Sequence, residues 1–239
     1  MRAEPVTVTI THLHKQRGTR AVLTDIHTSI GPGKVTGLIG ENGAGKSSLV
    51  RCIVGLDRPT QGQALVGDRP YRQLSSPLET VGTMLDGPGA HPKRSARQHL
   101  AWLCAAAGIP VSRAEEMLER MGLSEAARQP VGTFSLGMGQ RLSLAQAMLG
   151  DPAVLLLDEP FNGLDPQGIR QLRSDCRQWA QEGRTVLVSS HLIDELEGIA
   201  DDVIMLDRGR IVAAGAVAEV QGRHRSLEES FFAATGRGQ

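Results

Sequence analysis

Cysteine is scarce and unpatterned in this sequence. Cys52, Cys104 and Cys176 are odd in number, widely spaced and form no CxxC pair. That argues against a disulfide framework or a structural zinc site and fits a reducing cytoplasm. Charge of one sign is also missing: 26 Lys and Arg face 26 Asp and Glu, for a formal net charge of zero. A protein that holds nucleic acid mainly through bulk positive charge is thereby disfavoured, although a local basic patch stays open. No apolar run approaches the roughly 18 residues of a membrane span. The opening MRAEPVTVTITHLHK has no charged-then-apolar leader pattern, and no lipidation cysteine stands at the other end. The expectation is a chain that does not cross a bilayer alone. Repeats with a period of 20 to 50 residues are absent as well. What remains is ordinary globular composition, 40% apolar and 22% charged over 239 residues, long enough to bury a core in one large domain or two small ones.

Short strands and turns open the chain: VTVTI at 6–10, then a run ending SIGPGKVTGLIG at 29–40. Val35 to Ile39 reads as a strand, and the glycine-rich GENGAGKSS leads from it into an apolar helix, SLVRCIVGL. Continuous apolar runs at 153–158, 185–190 and 203–207 suit strands of a parallel sheet covered on both faces. Between them Ile169, Leu172, Cys176 and Trp179 recur at helical spacing, with Pro166 near the start and Gly183 past the end. This alternation predicts an α/β domain. The middle differs: 95–121 and 135–149 carry helical patterns only, after a Gly/Pro-rich loop at 86–94. Ser112 with Glu115 has capping-box spacing and opens a helix that should end near Gly122; Ser226 with Glu229 does the same for a final surface helix over 226–235.

Gly40-Glu41-Asn42-Gly43-Ala44-Gly45-Lys46-Ser47 matches GxxxxGK[ST] in the required strand–loop–helix setting. Glycines let successive backbone N–H groups converge on phosphate oxygens, and the helix N-terminus adds partial positive charge. Lys46 would reach the β- and γ-phosphates, with Ser48 beside it, and the Ser47 hydroxyl would ligate Mg²⁺. Asp158 ends an apolar strand and Glu159 follows: one carboxylate can hold magnesium through water, and its neighbour can orient or deprotonate an attacking water. Ser135-Leu-Gly137-Met-Gly-Gln140-Arg precedes a helix, as a second anion site or as an N-cap and flexible turn. Its spacing does not tie it to the nucleotide of Lys46. His191 follows a strand whose C-terminal end carries Ser189 and Ser190, a place where α/β ligands bind, though a surface histidine is equally consistent.

Together these residues resemble the nucleotide-binding subunit of an ATP-binding cassette transporter, over nearly the whole chain and with the motifs in the family's order. GENGAGKS is similar to its phosphate loop and LLLDEP to its Walker B segment. FSLGMGQR resembles its signature motif, in the variant with leucine after serine found in drug- and antibiotic-exporter ATPases. Gly163-Leu164-Asp165 resembles the D-loop, and His191 the switch histidine. The resemblance implies an α/β fold: a P-loop NTPase core with a mostly parallel sheet, an N-terminal antiparallel β portion and an inserted helical subdomain. It divides one domain over 1–239 into a core of 1–85 and 150–222, a helical subdomain of 86–149 and a C-terminal helix of 223–239. ATP and Mg²⁺ are the implied cofactors, and Lys46, Glu159 and His191 the catalytic groups. Two subunits would pack head to tail, so that Ser135, Gly137, Gln140 and Asp165 of one meet the ATP held by the other. The implied partners are a second copy and a separate membrane permease, on the cytoplasmic face of the cell membrane, with no nucleic acid. The alternative is a soluble ATPase of the family or a nucleotide-binding regulator not coupled to transport.

Three positions depart from the family pattern. Arg17 stands where an aromatic residue usually stacks on adenine; its planar guanidinium could stack there instead. Asp86 aligns with the glutamine of the Q-loop and could approach the magnesium or its water shell. Leu136 stands where the commonest signature has glycine, and Gly139 where relatives often carry a basic residue.

Overall fold

The computed structural model describes residues 4–85 and 87–236. Strands β1 (Val8–Arg17), β2 (Arg20–Ile30) and β3 (Lys34–Ile39) lead into helix α1 (Lys46–Ile53) and strand β4 (Gln61–Val66). A short helix α2 (Pro77–Thr80) precedes β5 (Val81–Met84), and three helices follow, α3 (Ala96–Ala107), α4 (Ser112–Arg120) and α5 (Leu136–Ala147). The chain then alternates through β6 (Val154–Asp158), α6 (Pro166–Gln181), β7 (Thr185–Ser190), β8 (Asp202–Asp207) and β9 (Arg210–Ala216), and closes with α7 (Val217–Gln221) and α8 (Leu227–Thr235).

Two sheets result. An antiparallel sheet has the order β2-β1-β4, and a six-stranded sheet the order β5-β6-β7-β3-β8-β9, parallel except for the β8–β9 pair. The expected fold class is the observed one. Side chains alternate across the large sheet as the period of two demands. Val35, Ile39, Leu155, Leu157, Val186 and Val188 enter one core with α3, α5 and α6. Leu38, Val154, Leu156, Leu187, Ile204 and Leu206 enter a second core, with α1 and the antiparallel sheet. Because both faces are covered, the strands read as unbroken apolar runs.

Local chemistry corrects three expectations. The Ser112–Glu115 capping box does not form: Val111 is the N-cap residue, in a helical conformation and without a side-chain cap. Pro110 starts the turn earlier, its carbonyl accepting from Arg113 N–H at 2.9 Å, which moves Ser112 inside the helix. Glu115 instead pairs with Arg97 at 2.6 Å. A reciprocal capping box does occur at α3, between Ser95 and Gln98. At α8 only half of the expected box forms: Ser226 accepts from Glu229 N–H, while the Glu229 carboxylate accepts from Arg225 N–H at 2.8 Å. The first strand is also longer than VTVTI. A bulge at His12, with φ of 44°, makes the buried positions Val8, Ile10 and Leu13 and so breaks the alternation that would reveal it.

Candidate functional site

Parallel pairing fixes where the motifs meet. Ile39 lies beside Ser190 and Asp158 beside Ser189, so the C-terminal ends of β3, β6 and β7 finish at one edge. The segments that leave this edge carry Gly40, Glu159 and His191. Ligands of open α/β sheets bind outside such strand ends.

The phosphate loop turns sharply beneath β8. A Cβ at Gly40 would lie 2.5 Å from the Leu206 carbonyl, and one at Gly45, where φ is 115°, would lie 2.8 Å from the Leu23 side chain. Only glycine fits either place. Lys46 is the first residue of α1 and is 5% exposed. Its ammonium donates to the Gly40 carbonyl at 2.7 Å and pairs with Glu159 Oε1 at 3.0 Å. Ser47 and Ser48 follow on the first turn, both half-buried, while Glu41, Asn42 and Gly43 are exposed and Ala44 is buried.

Glu159 has a left-handed backbone, with φ of 49°. Its other carboxylate oxygen accepts from His191 Nδ1 at 2.7 Å, so one carboxylate links the phosphate-loop lysine to the histidine. Asp158 is 8% exposed, and its Oδ1 accepts from the Ser189 hydroxyl. Ser190 accepts from Leu192 N–H at 2.9 Å and donates to Glu195, shaping the turn that bears His191.

The second anion motif reaches this centre within the same chain. Ser135 caps α5 by accepting from Met138 N–H at 3.2 Å, and Gln140 Nε2 donates to the Glu159 carbonyl at 3.4 Å. Gly137 sits so close to the D-loop that a Cβ there would lie 3.0 Å from the Gly163 carbonyl. Asp165 caps α6, accepting from Gly168 N–H at 2.7 Å. Leu136 is 68% exposed beside them.

Arg17 is held elsewhere: its guanidinium donates to Asp57 at 2.8 Å. A cavity of about 360 Å³ adjoins the phosphate loop, flanked by Arg20, Val22, Asn42, Ala44 and Arg208, and Arg17 does not line it. The sequence pattern did not single out Arg20, the first residue of β2, or Arg208, in the turn between β8 and β9. Asp86 falls outside the described residues. No group of three or more His, Cys, Asp or Glu that could hold a metal occurs among the described residues. The oxygen donors of Ser47 and Asp158 nonetheless suit Mg²⁺, which takes one or two protein ligands and fills its shell with phosphate and water.

A lysine at the start of a helix, a buried aspartate and a glutamate bridged to a histidine at one strand edge define a phosphate-loop nucleotide hydrolase. The family model described as ABC transporter matches residues 23–162. The lantibiotic transport ATP-binding protein SrtF of Streptococcus pyogenes is 36% identical over 203 residues, 85% of this chain and 88% of its own length. The bacitracin transport ATP-binding protein BcrA of Bacillus licheniformis is 34% identical over 222 residues, 92% of this chain and 72% of its own. Among solved structures, an ATP-binding subunit of an ABC transporter superposes with a TM-score of 0.86 at 26% identity, over 95% of this chain and 99% of that one. A dimeric ATP-binding cassette with ADP and Pi shares the fold, with a TM-score of 0.79 at 21% identity over 87% of this chain and 98% of that one. The chain belongs to the ATP-binding cassette transporter family and is its ATP-hydrolysing subunit. No helix among the described residues is long and apolar enough to cross a membrane.

Proposed function

We propose that this subunit drives export of a drug, antibiotic or peptide through a permease encoded separately, at the cytoplasmic face of the cell membrane and without nucleic acid. The observation that carries the hydrolytic part is the bridge Lys46–Glu159–His191 at the strand edge. The cargo class is supported by the lantibiotic and bacitracin transport proteins among the relatives. In this reading the helical subdomain spans 86–149, the core 1–85 and 150–222, and the C-terminal helix 223–239.

Lys46 and the amides of 40–48 hold the phosphates; Ser47 and Asp158 would hold Mg²⁺, which would supply neutralising charge to the phosphates. Glu159 accepts the proton of the attacking water, and His191, bonded to its carboxylate, orients it. Two copies pack head to tail, with Ser135, Gly137, Gln140 and Asp165 of one closing on the ATP of the other. Hydrolysis removes the charge contacts that bridge them.

Glu159→Gln keeps ATP binding, lowers turnover by roughly 10²–10⁴-fold, the usual worth of a general base, and accumulates the closed dimer. Light scattering after gel filtration, with and without Mg-ATP, reads the dimer, and phosphate release by the parent chain reads turnover. Unimpaired hydrolysis by the variant would remove Glu159 from this role. A monomer with ATP bound would remove self-association of the isolated chain.

A further inference from the structure

One hydroxyl, on a residue with no role so far, touches both acidic residues of the site. Ser189 is 0% exposed and stands directly opposite Asp158 in the β6–β7 pairing. Its Oγ donates to Asp158 Oδ1 and accepts from Glu159 N–H at 3.0 Å. A hydroxyl carries one proton and two acceptor sites. The proton can go only to the carboxylate, since the Glu159 amide is a donor, so the polarity of this bridge is fixed. Both ends have a need for it. A carboxylate as buried as Asp158 requires a hydrogen-bond donor. Glu159 occupies the sparsely populated left-handed region, which persists only where its surroundings hold it. Ser189 grips the amide of Glu159, while Gln140 reaches the carbonyl of the same residue.

We propose that Ser189 is a positioning residue of the hydrolytic site: its hydroxyl fixes the carboxylate of Asp158 for the divalent cation and the backbone of Glu159 for its bridge to Lys46 and His191. The inference rests on the reading of Asp158 as a magnesium ligand. Ser190 is equally buried on the same strand but engages Glu195 and Leu192 instead, which makes it the natural control.

The test titrates Mn²⁺ into the full chain with a non-hydrolysable ATP analogue and follows the bound cation by electron paramagnetic resonance. Parallel runs record metal-free analogue binding and thermal unfolding. Ser189→Ala is expected to fold, to bind the analogue without metal as the parent does, and to bind Mn²⁺ roughly 10–100-fold more weakly, the usual worth of a group that orients a metal ligand. Ser189→Thr restores the hydroxyl, suits a strand through its β-branch, and returns the affinity toward the parent's. Should Ser189→Ala not fold, Ser189→Cys, which keeps the bulk but donates weakly, is read in the same way. Mn²⁺ affinity in Ser189→Ala equal to the parent's overturns the proposal. So does an equal loss in Ser190→Ala, which would mark general loosening of β7. A parent chain that binds the analogue but no Mn²⁺ would overturn the reading of Asp158 and the proposal with it. A loss in Asp158→Asn that Ser189→Ala does not share would overturn the proposal alone.

Discussion

Arg17 stands where the family stacks an aromatic ring on a base, yet it spends its guanidinium on Asp57, which also pairs with Arg51 at 3.3 Å. Burial pushes the Asp57 carboxyl up, but the Arg17 hydrogen bond and the charges of Arg17, Arg51 and Lys15 outweigh it and hold the group below the usual carboxylate range. A depressed carboxyl contributes stability above its unfolded value of about 3.9 and loses it as pH falls through the folded value. Asp57→Asn should therefore flatten the acid limb of a denaturation curve below about pH 4. Arg17 is more than half exposed, so Arg17→Ala should cost about 0–1 kcal/mol and change ATP affinity by less than about twofold, under 0.5 kcal/mol. Fluorescent-nucleotide titration checks this, and a tenfold loss would return Arg17 to the nucleotide. The contrast with the phosphate loop is one of range. The loop's geometry is written in eight consecutive residues, two of which, Gly40 and Gly45, leave no room for a side chain. The Arg17–Asp57 pair joins positions 40 residues apart, and no local pattern announces it. The same holds for Ser189, legible as a polar strand end but not as the partner of Asp158 until the register was known.

At the level of elements, the strands β3, β6, β7 and β8 were readable because burial on both faces leaves continuous apolar runs. β4 and β5 were not. The first begins Gln61-Gly62-Gln63, all exposed, and the second has only four residues. The helical patterns of the middle were plain, but not what joins the helices. His99 of α3 is 4% exposed, and its Nε2 meets Gln146 of α5. Burial pushes its pKa below 6.5, assisted by the charge of Arg94 and opposed by hydrogen bonds to Gln146 and the Pro88 backbone. The unfolded chain thus accepts a proton that the folded chain refuses, and stability declines as pH falls below about 6.5, being complete above it. His99→Leu should abolish that component, giving a smaller loss of thermal stability between pH 7 and pH 5 than the parent shows. An unchanged slope would mean that another group sets it.

On the scale of the molecule, the large sheet brings Lys46, Asp158, Glu159 and His191 to one edge, and α5, packed with α3 and α4 in a shared core, brings Gln140 to the same place. In the proposed reading the subunit must also pass the change outward to a permease, and the same helices carry a candidate surface for it. The 87–94 loop is pinned to the helical region by Val131 N–H on the Arg94 carbonyl and Gly132 N–H on the Pro92 carbonyl, both within 2.9 Å. Beside it Trp102 is 55% exposed, with the Arg94 guanidinium carbon 5.2 Å from its ring. An indole left in solvent contributes little to the fold of this chain, while a desolvated tryptophan is a frequent anchor at interfaces. If this loop and helix receive the permease, Trp102→Ser should change unfolding free energy by no more than about 0.5 kcal/mol and leave hydrolysis by the isolated subunit close to the parent's. Cargo export by the subunit reconstituted with its permease should fall severalfold, as should export after replacement of the GPGAHP loop. The ratio of cargo exported to ATP hydrolysed is the decisive quantity. A fall in that ratio places the docking surface here, whereas equal loss of export and hydrolysis would remove it from this face and leave Trp102 as an exposed ring beside Arg94.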